Sequence, residues 1–224
     1  MDQAPEAGQR PEPVPLLVAC ALGIEHLALR SGGGRGNRKA PGPVTVLRTG
    51  MGPRAAERAV RHALSGDLAQ AAVLATGFCA GLVPGMHPGD LVVAERTRDE
   101  SGASECSRTA ALAEAVSRAV PGRTVHTGVL AGSDHVVRGP ERAALRATGA
   151  VAVDMESAAS LRTALQAAGQ GARPVAAVRV IVDAPEHELV RIGTVRGGIS
   201  AFRVLRAVLP AFYEWHRSSL LPRR

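Results

Sequence analysis

Short, nearly uninterrupted apolar runs constrain this chain more than any other feature. LLVACAL at 16–22 and VAAVRVIV at 175–182 have strand length and no polar alternation, as in strands covered on both faces. Shorter runs at 44–47, 71–75, 91–94, 124–130 and 151–153 repeat the pattern. Between them lie stretches that predict helices ending near Arg30 and spanning 54–65, 139–148 and 157–168, with another running from Ser104 or Ser107 to Val120. Pro53 suits the first position of the second of these. Alternation of this kind predicts an α/β fold, a single-domain three-layer α/β/α arrangement with a mixed central sheet over 14–224, after a disordered tail at 1–13. Aromatic residues make up only 2% of the chain, so small and branched aliphatics must fill its core.

The net charge of +7 raises nucleic acid or an anionic membrane as partners. From Arg196 onward there are six arginines against the single acid Glu214, so the excess sits in the tail rather than along a basic stripe, and no nucleic-acid partner is expected. Cys20, Cys79 and Cys106 show neither a disulfide framework nor metal-ligand spacing, and no metal or organic cofactor is implied. The first residues carry Asp2, Glu6, Glu12 and several prolines where a secretion signal needs a positive start and an apolar run. A cytoplasmic location is expected. SGGGRGNRKAPGP at 31–43 has the composition of an exposed loop, without dinucleotide or Walker spacing.

Carboxylates gather at the predicted strand ends. Val151-Ala152-Val153 runs into Asp154-Met155-Glu156 and then a small-residue helix, a junction where acids can accept bonds from sugar hydroxyls or exchange protons. Alone, the pair reads equally well as acids favoured by a helix dipole. Glu25 and Asp183 also stand just beyond strand ends, which makes a shared ligand edge the better reading. Glycine-marked turns containing Gly50, Gly52 and Gly77 follow two strands, where backbone N–H groups can approach a ligand closely.

Glu25, Thr49-Gly50-Met51-Gly52, Ala75-Thr76-Gly77 with Ala80-Gly81-Leu82, Pro88-Gly89-Asp90-Leu91-Val92-Val93, Asp154-Met155-Glu156 and Arg179-Val180-Ile181-Val182-Asp183 occur in that order. Over about 16–185 this set resembles the purine nucleoside phosphorylase and uridine phosphorylase superfamily, in its nucleosidase branch. The small size, the MESAA helix and the Arg-rich end are similar to hopanoid-associated nucleosidases, which are themselves similar to methylthioadenosine/adenosylhomocysteine nucleosidases. The resemblance implies hydrolysis of the N-glycosidic bond of an adenosine-type nucleoside with release of adenine, in a homo-oligomer. It makes Asp183 the acid that protonates the base, with a pKa raised by burial among Val182, Ala184 and Pro185. Glu25 becomes the residue that activates water, Glu156 the ribose clamp and Met155 the sugar's apolar floor. Val136 and Val137 contact the purine, and Asp154 is structural.

Phe78 replaces a small or hydroxyl residue of the family, Val136 a common aromatic, and Val182 a common serine. The apolar shift favours adenosylhopane, a lipid-linked nucleoside. Residues 199–221, carrying Phe202, Phe212, Tyr213 and Trp215, read either as a final helix kinked at Pro210 and docked on the sheet or in a dimer, or as an amphipathic element in peripheral membrane contact. A phosphorylase using Arg54 as phosphate ligand, and a non-catalytic nucleoside- or nucleic-acid-binding module, are the competing readings. His135 and His187 read as loop histidines.

Overall fold

The computed structural model describes residues 13–36, 40–169, 172–184 and 194–221. Nearly all of the expected tail, together with Pro185 and His187, lies outside the described residues. Eight strands and seven helices follow one another: β1 Leu16–Cys20, α1 Gly23–Gly36, β2 Val44–Arg48, α2 Pro53–Ala63, β3 Ala72–Gly81, β4 Leu91–Asp99, β5 Gly102–Glu105, α3 Thr109–Ala119, β6 Val125–Gly132, α4 Pro140–Ala147, β7 Ala150–Asp154, α5 Ser157–Gln166, β8 Val175–Asp183, α6 Thr194–Ala207 and α7 Leu209–Ser219.

The sheet is mixed, as the sequence predicts. β1 lies parallel to β2 and to β3, and β3 lies parallel to β8. β8 then pairs antiparallel with β4, β4 pairs parallel with β6, β6 with β7, and β7 returns antiparallel to the end of β3. The pairings of β3, β8, β4, β6 and β7 therefore close on themselves, while β1, β2 and β5 extend the sheet outward. Closure requires β3 to be long. The segment Thr76–Gly81, expected as a glycine-marked turn, is instead the extended second half of β3. Its register with β8 holds from Val73 to Cys79 and shifts before Ala80, a bulge that turns the strand toward β7.

Strand residues of both parities are buried, which explains the unbroken apolar runs. Leu16, Val18, Leu74, Val178 and Val180 face Leu29, Leu112, Leu205 and Phe212 of the helices on one side. Leu17, Ala19, Val73, Val92 and Ala177 face Val60 of α2 and Leu161 of α5 on the other. The helical layers are thus packed on both faces of the sheet.

Three expectations are corrected. α1 continues to Gly36 instead of yielding to a loop at Ser31. β4 runs on to Asp99 and turns into β5, a short edge strand with no apolar signature, so α3 starts only at Thr109. The C-terminal segment is two helices meeting at Val208, with Pro210 in the first turn of α7. Its aromatics fill the core: Phe212, Tyr213 and Trp215 are buried, and the Trp215 indole donates to the Ser107 carbonyl at 2.8 Å. The aromatic face on which membrane contact was expected is therefore not available to lipid. Among the described residues no helix is long and apolar enough to cross a membrane.

His216 of α7 is 0% exposed, and both ring nitrogens lack a hydrogen-bond partner among the described residues. Burial pushes its pKa down to about 4 from 6.5, so the folded chain holds it neutral while the unfolded chain protonates it more readily. The associated stability is complete above pH 6.5 and is lost as pH falls toward 4, by up to ~3 kcal/mol. His216→Leu should flatten this part of the stability–pH curve measured by urea unfolding. An unchanged slope between pH 6.5 and 4 rules the effect out.

Candidate active site

The strand ends β1, β3, β7 and β8 and the loop before α4 enclose a cavity of ≈ 210 Å³. Glu25, Phe78, Val136, Val137, Met155, Glu156 and Asp183 line it together. Gly50, Gly52 and Gly77 do not; Gly52 and Gly77 act from behind its wall. Among the described residues the remaining carboxylate is Asp154, so Glu25, Asp154, Glu156 and Asp183 share the cavity with one guanidinium, that of Arg142.

Glu25 stands in the first turn of α1 and is 2% exposed. Its Oε2 accepts from the backbone N–H groups of Ala21 at 2.9 Å and Leu22 at 2.8 Å, and its Oε1 from Phe78 N–H at 2.9 Å. A carboxylate has about four acceptor positions, so the side chain is immobilised without being saturated. Gly77 makes this approach feasible. A Cβ there would lie 2.5 Å from Glu25 Oε1 and 2.7 Å from Arg179 Nη1, and its φ of +135° suits glycine alone.

Glu156 caps the start of α5, and its Oε1 accepts from Gly52 N–H at 2.9 Å. Gly52, with φ +86°, aims that N–H group from the turn before α2. Burial raises the Glu156 pKa above its ordinary value, against the lowering effects of Arg179 and the Gly52 bond. Asp154 is structural: it accepts from Ser157 N–H and pairs with Arg179 Nη2 at 2.6 Å. Arg179 is 1% exposed, donates to Ser157 Oγ at 2.9 Å, and lies 3.8 Å from Glu156 Oε2. Burial alone would lower its pKa, but Asp154, Glu156 and Glu25 outweigh burial and hold it above the usual value.

Asp183 ends β8 and lines the same cavity. The expectation of a purely apolar setting for its carboxyl is corrected, because Arg142 of α4 pairs with Asp183 Oδ2 through Nη2 and donates from Nε to the Val137 carbonyl at 3.2 Å. Val137 is buried and Val136 is 58% exposed at the rim. His135 is an exposed loop residue, and hydrogen bonds it donates to the Asp134 and Glu141 carboxylates raise its pKa. Arg54 lines a separate groove of ≈ 610 Å³, not the cavity, and the two share His135 and Met155. Sequence reading missed the roles of Arg179 and Arg142. Among the described residues no group of His, Cys, Asp or Glu is arranged to hold a metal ion.

A mixed sheet whose strand ends converge on a small carboxylate-lined cavity defines an α/β protein built around a small-molecule site. The chain belongs to the phosphorylase superfamily, whose family model matches residues 35–210. No curated protein sequence matches it. Solved structures share its fold: a 5′-methylthioadenosine/S-adenosylhomocysteine nucleosidase from Neisseria meningitidis in complex with methylthio-immucillin-A (TM-score 0.71, 19% identity, covering 89% of this chain and 98% of that one); the corresponding Helicobacter pylori protein with 5′-methylthioadenosine (0.75, 15%, 89% and 98%); and the futalosine hydrolase of Helicobacter pylori (0.74, 16%, 90% and 98%).

Gly77→Ala should cost ~2 kcal/mol or more through strain and displacement of Glu25. Gly66→Ala, where a Cβ meets nothing within 4 Å, should be nearly silent; equal melting shifts would disprove the contrast. Glu156→Gln keeps an acceptor for Gly52 and removes a buried charge. Because the fold raises this carboxyl's pKa, its ionisation costs stability increasingly as pH rises. The variant should therefore melt higher than the parent at pH 8, with a gap that closes on acidification; a gap that widens in acid would reverse the assignment.

Proposed function

We propose that this protein is a nucleoside hydrolase that cleaves the N-glycosidic bond of an adenosine-type nucleoside. The observation that carries this reading is Glu25, held by three backbone N–H bonds with its carboxylate on the cavity wall. A fixed carboxylate can orient water and take its proton as the oxygen attacks the anomeric carbon. It repels a phosphate nucleophile. Among the described residues the cavity's one guanidinium, Arg142, is engaged by Asp183, and Arg54 lies in the neighbouring groove, which favours water over phosphate as the nucleophile.

Glu156 is the ribose clamp, accepting from the sugar hydroxyls, with Met155 beneath the ring. Asp183, paired with Arg142, meets the base and activates it as a leaving group. Val137 and the rim residue Val136 flank the purine, and Phe78 closes the wall. Two of the cavity's apolar side chains are exposed, Met51 (63%) and Val136 (58%). They suit an apolar 5′ substituent and support adenosylhopane as substrate. The protein is read as a cytoplasmic homo-oligomer of the hopanoid biosynthetic route.

The test is chromatography of the base released from adenosylhopane, methylthioadenosine and adenosylhomocysteine, with and without phosphate. Release should be independent of phosphate and fall by ~10²-fold or more in Glu25→Gln and in Asp183→Asn. Absolute dependence on phosphate overturns hydrolysis; full activity of Asp183→Asn removes its role at the base.

A further inference from the structure

The carboxylate of Glu25 offers the cavity one open acceptor position. A carboxylate has about four such positions. Oε2 takes the N–H groups of Ala21 and Leu22, whereas Oε1 takes only that of Phe78. The open position therefore lies on Oε1, beside Phe78, and accepts from a single O–H donor. Among the described residues that line the cavity none has a hydroxyl or amide side chain, so no such group helps Glu25 to orient a nucleophile.

An open acceptor position does not by itself choose water. An alcohol donates the same bond, carries no charge for the carboxylate to repel, and differs from water by the carbon on its oxygen. Discrimination must then come from the space next to that oxygen, and Phe78 stands there. Its side chain packs on the cluster that contains Ala28 and Leu29 of α1, the helix that carries Glu25, and it is only partly buried where it lines the cavity. Val182, on the neighbouring strand, packs on the same cluster and adds hydrocarbon to the same lining. We propose that Phe78 is a specificity-determining residue that restricts the nucleophile to water: its ring takes the space beside Glu25 Oε1 that the carbon of an alcohol would need. Its backbone N–H meanwhile keeps Glu25 in place, so one residue holds the general base and limits what that base can activate. A tight apolar site discriminates against one extra carbon by roughly 10–200-fold.

In hydrolysis the water oxygen bonds to C1′ as the C1′–N9 bond breaks. The bonding pair leaves with the purine, which takes a proton from solvent, and the proton lost by water passes through Glu25 to solvent. With methanol in place of water the same steps release the same purine and yield a methyl glycoside instead of the free sugar. The ratio of the two sugar products reads the nucleophile chosen. Both arise from one active site in one experiment, so a loss of folded protein or a slower turnover leaves the ratio unchanged.

The inference rests on the hydrolase reading of the site, and the product ratio separates the two. The test is chromatography of the sugar products formed in aqueous methanol from adenosylhopane, methylthioadenosine and adenosylhomocysteine. Wild type should form the methyl glycoside at a level at least ~10-fold below methanol's share of the solvent. Phe78→Ala should raise the ratio of methyl glycoside to free sugar by ~10-fold or more, and Phe78→Leu, which keeps more of the apolar wall, by a smaller factor. Both variants retain the backbone N–H that holds Glu25. Val182→Ala should raise the ratio less than Phe78→Ala does. Methyl glycoside formed by wild type in proportion to methanol overturns the proposal without any variant. Unchanged ratios in the Phe78 variants, or an equal rise in Val182→Ala, overturn the assignment to Phe78. Release of base from none of the three nucleosides, or only when phosphate is added, removes the hydrolase reading, and the proposal with it.

Discussion

One buried guanidinium makes the rest of the site feasible. Arg179 sits in β8 between β3 and β4, 1% exposed, and answers Asp154 and Glu156, with the carboxylate of Glu25 also close to it across Gly77. Carboxylates crowded in a low-dielectric interior disfavour one another's ionisation, and an unpaired buried charge costs several kcal/mol. A central cation lowers that cost, and each carboxylate adds its own backbone N–H donors. The compensation is incomplete at Glu156, whose raised pKa marks the residual penalty. A site that holds a charge against burial favours ligands that supply hydrogen bonds to it, as a sugar diol does.

The cavity lining combines two sets of charged groups with apolar side chains. In one set Arg179 lies behind the carboxylates and leaves them facing the cavity. In the other, Arg142 stands beside Asp183 on the cavity wall itself. Val153, Val137, Phe78 and Met155 contribute apolar lining.

The apolar runs of the sequence were enough to locate seven of the eight strands, because strands buried on both faces need unbroken hydrophobic residues. β5, with the residues Gly-Ala-Ser-Glu, pairs only at an edge and has no such requirement. The extension of β3 through Gly77 was hidden for a different reason: glycine there serves the approach of Glu25 and Arg179, a tertiary demand that looks locally like a turn. Seven of the predicted site residues line one cavity, since acids and apolar residues at strand ends carry a positional signal. Arg179 left a trace, a charge inside VAAVRVIV that could be buried only with partners. Arg142 left none, for its partner Asp183 is 41 residues away and nothing in its helix distinguishes it from the neighbouring arginines.

The position of β8 has a consequence for how the protein comes into being. It is the last strand in the chain, yet it is the piece that joins β3 to β4 and brings Arg179 and Asp183 into the molecule. Until it inserts, Glu25, Asp154 and Glu156 have no common cation, and Arg142 has no carboxylate partner. These pairings join residues far apart in the chain, such as Leu91 with Val180. A ribosome part-way through this message therefore holds a chain without a working pocket, and insertion of one strand completes the sheet and the chemistry together.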